Sequence, residues 1–374
     1  MSAPQAASHA PAAAPPVVLW WGRFDARYSR NAVLRQGFAA LGWQVRDFRP
    51  WVSRLGDLQA RVRAPAPPAL VWVPCFRQRD LAAAYRHARR LGVPLIADPL
   101  ISVYDKQVDE RGKLAAGSRR AARVLAWERR ILAGADRVVA DTDGHADYFA
   151  GTLAVPRARL AVVPVGADET LFRPAAMPPT DAGVEALFYG SFLALQGPEV
   201  IVAAASLLRV PRLRITLLGH GPAHARCVSL ARGDPRLRFE PWVDYRELAA
   251  RIHRAHVLLG AFGVTPKAGR VIPNKVYQAL ACARPVVTRA APCYPPLLLQ
   301  QPGDGLCFVP AGDAAALASA LDAMSLEADR LALRGQAAGA LYARWFSAAQ
   351  VRRALAALLS SLDLPCAPAG HAAA

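Results

Sequence analysis

"GRVIPNKVYQALACARPVV" runs from Gly269 to Val287. It passes from a glycine turn, through Pro273, into an amphipathic stretch and then into a short apolar strand. Pro273 suits the first position of a helix, where its missing N–H costs nothing. The free N–H groups behind it, with the helix dipole, form an anion site. Lys275 stands in that first turn, where a bare helix favours an acid, so the lysine is locally misplaced unless an anion binds. Gln278 follows three residues later and lies on nearly the same face. Spacing alone leaves a surface lysine and a surface glutamine as the competing reading. A glycine-bearing loop, a helix and a buried strand in this order are nevertheless the parts of a parallel α/β sheet.

The same unit repeats along the chain. Residues 16–22, 69–75, 93–99, 136–142 and 160–166 are short apolar runs that read as buried strands, with helical patterns such as 29–42 and 118–134 between them. Residues 173–183, "RPAAMPPTDAG", form a Pro-rich linker. A second set of strands follows at 184–190, 213–219, 237–243, 256–263, 284–288 and 305–310. A chain of 374 residues is too long for one ordinary core. The reading is therefore two doubly wound α/β domains with a cleft between them. A disordered Ala/Pro tail spans 1–16, the first domain 17–178 and the second 179–338. A helical segment, 339–374, returns toward the first domain. Open sheets of this kind bind ligands outside the carboxyl ends of their strands, so the loops there carry the chemistry.

Composition narrows the partners. The net charge is +18, from 46 basic and 28 acidic residues, which favours nucleotides, phosphorylated acceptors, lipid headgroups or nucleic acid. An alanine- and arginine-rich proteome bias is the plain alternative. Arg86, Arg89 and Arg90, and then Arg119, Arg120 and Arg123, suit an anionic lipid surface or a solvated helix face equally. No nucleic-acid module or basic-aromatic platform is recognisable, so no nucleic-acid partner is expected. The six cysteines lack paired ligand spacing and read as reduced thiols of a cytoplasmic protein. The first residues lack the basic start of a secretory signal, and no apolar run reaches membrane-spanning length.

Three further loops point to the same place. "FYGSF" (188–192) supplies Gly190 and Ser191 after a strand. "LLGHGP" (217–222) supplies Gly219, His220 and Gly221; His224 stands where a dinucleotide fingerprint has its third glycine, and a tight turn is the competing reading of the pair. "GAFGVTPKAGR" (260–270) adds Gly263, Lys267 and Arg270 on the approach to the opening stretch. If the loops share one sheet edge, they converge on a site of diphosphate size. "DTD" (141–143) reads as strand-to-helix capping residues rather than a metal motif. His87, His145, His253 and His256 have no partner at ligand spacing and read as structural.

The stretches "LAVVPVGADETLFRP" (160–174), "LFYGSF" (187–192), "ITLLGHGP" (215–222), "WVDYRELAARIHRAHVLLGAFG" (242–263) and "IPNKVYQALACARPVV" (272–287) together resemble the donor domain of group 1 (family 4) glycosyltransferases, which have the GT-B fold. The first half resembles the family's acceptor domain more loosely. The resemblance implies a retaining, metal-independent hexosyltransferase of cell-surface polysaccharide or glycolipid synthesis. It implies a UDP- or GDP-linked sugar donor, a saccharide or lipid-linked acceptor and no further cofactor, with the protein in the cytoplasm or peripheral on the inner membrane face. Lys275 and Arg270 would stabilise the departing diphosphate, with Asn274, Lys275 and Val276 contributing N–H groups. Gln278 stands where the family has a ribose-gripping glutamate. Trp242 and Val243 would border the base, Gly190 and Ser191 the phosphates, and His220 the nucleotide. From the facing domain, Arg23, Arg30, Asn31, Asp98 and Asp105 would address the acceptor. Ser29 reads alternatively as a helix N-cap, and each aspartate as a loop carboxylate paired with an arginine. The sequence departs from the family's pattern. Arg270 and Gln278 replace two glutamates separated by seven residues, Gln196-Gly197 replaces Lys-Gly, and Cys282-Ala283 replaces small-Gly. A nucleotide-sugar epimerase or hydrolase, and a non-catalytic nucleotide-sugar-binding partner, stay open as alternatives.

Overall fold

The computed structural model describes residues 14–63 and 66–366. Of the tail expected over 1–16, residues 1–13 lie outside the described residues. Among these residues twelve strands make two six-stranded sheets in which each pairing is parallel. The first sheet has β1 (Val17–Trp21), β2 (Gln44–Phe48), β3 (Leu70–Val73), β4 (Leu95–Ala97), β5 (Arg137–Ala140) and β6 (Leu160–Val162), in the order β2-β1-β3-β4-β5-β6. The second has β7 (Val184–Gly190), β8 (Leu213–Gly219), β9 (Leu237–Glu240), β10 (Val257–Leu259), β11 (Val286–Arg289) and β12 (Leu306–Val309), in the order β12-β11-β10-β7-β8-β9. The strand order reverses once in each sheet, between β1 and β3 and between β7 and β10. Loops at such reversals leave a crevice that a ligand can enter. The doubly wound α/β architecture is the one expected.

Strands covered on both faces by helices read as unbroken apolar runs. "VVLWW" of β1 and "LVWV" of β3 are of this kind and are buried. Trp20 and Trp72 are register partners and stack at 5.4 Å between centroids. Phe38, from the helix Ser29–Ala40, meets both rings edge-on at 5.9 and 5.4 Å. Burying a side chain such as Phe38 contributes about 1.5–3 kcal/mol. Strand β2 has no counterpart in the expectation. Its sequence, "QVRDF", is polar and half exposed because it is an edge strand with one neighbour, β1.

The polypeptide crosses between the sheets twice. Residues 173–180, without helix or strand, make the first passage. The buried guanidinium of Arg284 fixes it by donating to the carbonyls of Ala175 and Ala176 at 2.8 and 2.7 Å, and to those of His253 and Ala255 at 2.8 and 2.9 Å. The helix Leu331–Trp345 packs beside the helix Asn274–Ala281 in the second half. The next helix, Ala348–Ser360, instead lies on Ser29–Ala40, where Val351, Leu355, Leu358 and Leu359 share a cluster with Leu34 and Phe38. At this second crossing the Glu169 carboxylate accepts from the Tyr342 hydroxyl at 3.0 Å and from the Ala348 N–H at 2.7 Å.

Candidate active site

The loops after β7, β8 and β10 lie back to back, and their glycines are the reason. A Cβ on Gly221 would sit 1.7 Å from the Ser191 carbonyl oxygen, and one on Gly219, whose φ is +123°, 2.2 Å from that of Gly190. A Cβ on Gly263 would sit 2.2 Å from the Ala194 oxygen. No L side chain survives such approaches. The loops therefore gather at one sheet edge, around a cleft of about 450 Å³.

Gly190, Ser191, Trp242, Asn274, Lys275 and Gln278 line this cleft from the second domain. The helix starts at Asn274, one residue later than expected, with Pro273 extended before it at ψ 144°. Among the described residues the N–H groups of Asn274 and Lys275 find no acceptor, as the first turn of a helix leaves them. The Lys275 amine is buried, lies 3.7 Å from the centroid of the Phe188 ring, and has no hydrogen-bond partner among the described residues. Ring faces attract cations, but desolvation opposes charge more strongly here. Burial holds the amine well below the usual lysine range. Gln278 is fixed from both ends: its Oε1 accepts from the Tyr189 hydroxyl at 2.7 Å, and its Nε2 donates to that of Tyr245 at 3.2 Å.

Other expected residues lie elsewhere. Arg30 does not face the cleft; its fully buried guanidinium donates to Asp98 at 3.0 and 3.2 Å and to the carbonyls of Val163 and Pro164 at 2.6 and 2.9 Å. Asp98 is thereby structural too. Asn31 is buried, donating to the Asp25 carbonyl at 2.7 Å and accepting from the Cys75 thiol. Ser29 begins its helix rather than capping it. Arg23 is exposed and outside the cleft lining. Val276 is a core residue whose N–H goes to the Pro273 carbonyl at 2.9 Å. Val243 is half buried against that core, and His220 packs on His224 at 4.5 Å; neither lines the cleft.

Arg270 is also diverted. It donates to Asp105 at 2.9 Å and lies 4.3 Å from the Tyr148 ring centroid, both in the first domain. Lys267, buried beside it, pairs with Glu110 and, at 3.5 Å, with Asp105. Thr142 donates to the Arg270 carbonyl at 2.6 Å. This four-charge cluster joins the domains along one wall of the cleft. The buried Glu128 carboxylate holds the acidic side of it in place, accepting from Ser102 at 2.7 Å and from the N–H groups of Val103 and Tyr104 at 2.7 and 2.9 Å.

The first-domain wall holds residues that the sequence reading passed over. Asp141 and His145 both line the cleft, paired through Nδ1 of the imidazole. Thr142 caps the turn by accepting from the His145 N–H at 3.1 Å. The carboxylate engages Nδ1 and orients the ring, which leaves Nε2 as the ring nitrogen with no partner among the described residues. The i, i+4 spacing of Asp141 and His145 was the available signal. Beside this wall, and sharing Ile101 with it, is a cavity of about 580 Å³ lined by Arg77, Arg79, Lys106, Arg111 and Lys113 with Phe76 and Trp127 and, among the described residues, by no carboxylate.

Residues 4–166 match the model described as a glycosyl transferase 4-like domain, and residues 183–326 match that of glycosyl transferases group 1. The chain belongs to the group 1 glycosyltransferases. The D-inositol 3-phosphate glycosyltransferase of Arthrobacter sp. (strain FB24) is 33% identical over 177 residues, which cover 43% of this chain and 41% of that protein. The equally named protein of Mycobacteroides abscessus is 27% identical over 220 residues, 54% of this chain and 46% of that one. The chain thus spans less than half the length of these curated relatives. Among solved structures, Anabaena HepE in complex with UDP superposes with a TM-score of 0.67 at 13% identity, covering 93% of this chain and 100% of the other. Sucrose-phosphate synthase from Thermosynechococcus elongatus gives 0.68 at 19% identity, with 93% and 99% covered. The fold of this group 1 glycosyltransferase is GT-B. Among the described residues no helix is long and apolar enough to cross a membrane.

Proposed function

We propose that the chain transfers a sugar from a nucleoside diphosphate donor to a saccharide or lipid-linked acceptor, with retention and without a metal. The observation that carries this is the unpartnered Lys275 amine, buried at a helix start beside free N–H groups and facing the cleft. A donor diphosphate supplies the anion that this arrangement lacks. As the glycosidic bond breaks, charge accumulates on the leaving phosphate, and fixed donors in a dry cleft stabilise it. The site provides its own cation there, which supports metal-independence. The cleft's carboxylates, Asp141 and Glu110, are already engaged by His145 and Lys267, which disfavours a protein nucleophile and supports retention through the leaving phosphate acting as base. Gln278 and Tyr245 offer the ribose a donor and an acceptor. HepE, whose structures hold UDP and UDP-glucose, favours a UDP-linked donor over GDP. The basic cavity beside Ile101, with relatives named for an inositol phosphate, favours an acceptor that bears phosphate. Such chemistry belongs to cytoplasmic glycoconjugate or polysaccharide synthesis.

Thermal unfolding with UDP, GDP, ADP and their sugar conjugates tests the donor half. A ligand bound by the native state alone adds about 2.7 kcal/mol at 100-fold Kd. The expected result is a rise with UDP that Lys275→Ala abolishes; no rise with any nucleotide would reject the assignment. His145→Gln is expected to lower kcat by up to about tenfold, the worth of one hydrogen bond near the sugar, with UDP affinity unchanged. Steady-state kinetics beside a UDP titration separates the two effects. A non-catalytic reading draws on Arg270 and Gln278 in place of two acids; tight donor binding without transfer or hydrolysis would favour it.

A further inference from the structure

Residues 49–63 read "RPWVSRLGDLQARVR" and carry an inverted pattern. In the helix Gly56–Arg63 the small and polar residues Gly56, Asp57 and Ala60 face the protein. Leu58 and Val62 point outward, in line with Leu55. Trp51, Val52, Leu55, Leu58 and Val62 are 71, 51, 53, 48 and 87% exposed. Loose packing does not explain this. A Cβ on Gly56 would lie 2.9 Å from Trp21, and Asp57 accepts from Arg86 at 2.7 and 3.0 Å, so the helix is anchored by its polar side. Contiguous exposed apolar surface of this kind marks an interaction site.

The rim of the patch identifies the partner. Arg54, Arg61 and Arg63 are exposed around it, and the Arg63 guanidinium lies 4.9 Å from the centroid of the Trp51 ring. The segment's one carboxylate, Asp57, is buried and paired. We infer that this face docks on an anionic lipid bilayer. Trp and Leu side chains enter the interfacial layer while arginines meet the headgroups. A symmetric second copy would instead oppose arginines to arginines. The Ser53 hydroxyl accepts from Arg77 at 3.4 Å, and Arg77 lines the basic cavity, so docking sets that cavity beside the membrane surface. Arg86 and Arg90, which the sequence offered for such a face, are committed to Asp57 and His87. The inference goes beyond sugar transfer and does not depend on it.

Co-sedimentation of the full chain with vesicles of phosphatidylcholine, alone or mixed with phosphatidylglycerol, tests the assignment. The expected result is binding to the mixed vesicles and little to the neutral ones. The triple variant Trp51→Ser, Leu58→Gln, Val62→Gln is expected to lose binding while keeping its melting temperature and its response to UDP. Changing Arg54, Arg61 and Arg63 to Gln should weaken binding about fivefold for each arginine removed. Equal binding to both vesicles, no binding to either, or full binding by the triple variant would overturn the inference. So would a solution dimer, seen by light scattering, that the triple variant dissociates, because the occupant would then be a second copy. The UDP response is read on the same samples, so lost vesicle binding with an intact UDP response counts against the bilayer alone.

Discussion

Lys275→Ala is expected to lower kcat by about two to three orders of magnitude, the usual effect of removing one fixed donor from a developing oxyanion. The helix Asn274–Ala281 should survive, because Val276, Tyr277 and Leu280 hold it in the core. Lys275→Met tests the same residue through stability. It removes a buried amine with no partner among the described residues and is expected to stabilise the ligand-free protein by about 1–3 kcal/mol. The lysine pKa is depressed in the fold. Between that value and the ordinary one near ~10.4, the unfolded chain binds more protons, so stability rises with pH across this window. The methionine variant should lose that rise. Binding reverses the preference: a diphosphate beside Lys275 favours its charged form, so UDP binding takes up a proton and weakens as pH rises through the depressed value. Calorimetry in two buffers of different ionisation enthalpy reads this uptake directly. Proton uptake unchanged in Lys275→Met would place the diphosphate elsewhere.

Asp105→Ala is expected to cost about 3–5 kcal/mol, the range for removing one partner of a buried ion pair. Asp105 is buried and serves both Arg270 and Lys267, and Lys267 is buried as well. Glu110 can retain Lys267, but Arg270 keeps only the Tyr148 face. The urea midpoint should fall, and because the cluster joins the two domains, the transition should also broaden as they begin to unfold separately. A midpoint within experimental error of the parent would mean that the cluster contributes nothing to holding the domains together.

Most of the fold was legible because parallel strands under helices are apolar runs, and eleven of the strands announce themselves in that way. Strand β2 was not, since "QVRDF" at a sheet edge follows no burial rule a single sequence can show. The donor wall was legible where chemistry and local structure conflict: a lysine at a helix start, glycines where loops touch. The acceptor wall was not. Arg30 and Asp98 are 68 residues apart and Arg270 and Asp105 165 apart, so their pairing is decided by tertiary contact. Each carries a charge that looks available until its partner is seen. His145 was passed over for the opposite reason: its one legible partner, Asp141, lies one turn away, and the two read as capping and core residues until both are seen lining the cleft.

The helix Ala348–Ser360 has an evolutionary and practical corollary. Because the helix Ala348–Ser360 tiles the first domain, neither half is a transplantable module at residues 173–180. A chimera spliced there would join one parent's Leu34 and Phe38 to another parent's Leu355 and Leu359, and would inherit a mismatched seam far from the cleft. Donor specificity should therefore be exchanged by a cassette ending before Ser347, with the native tail restored behind it.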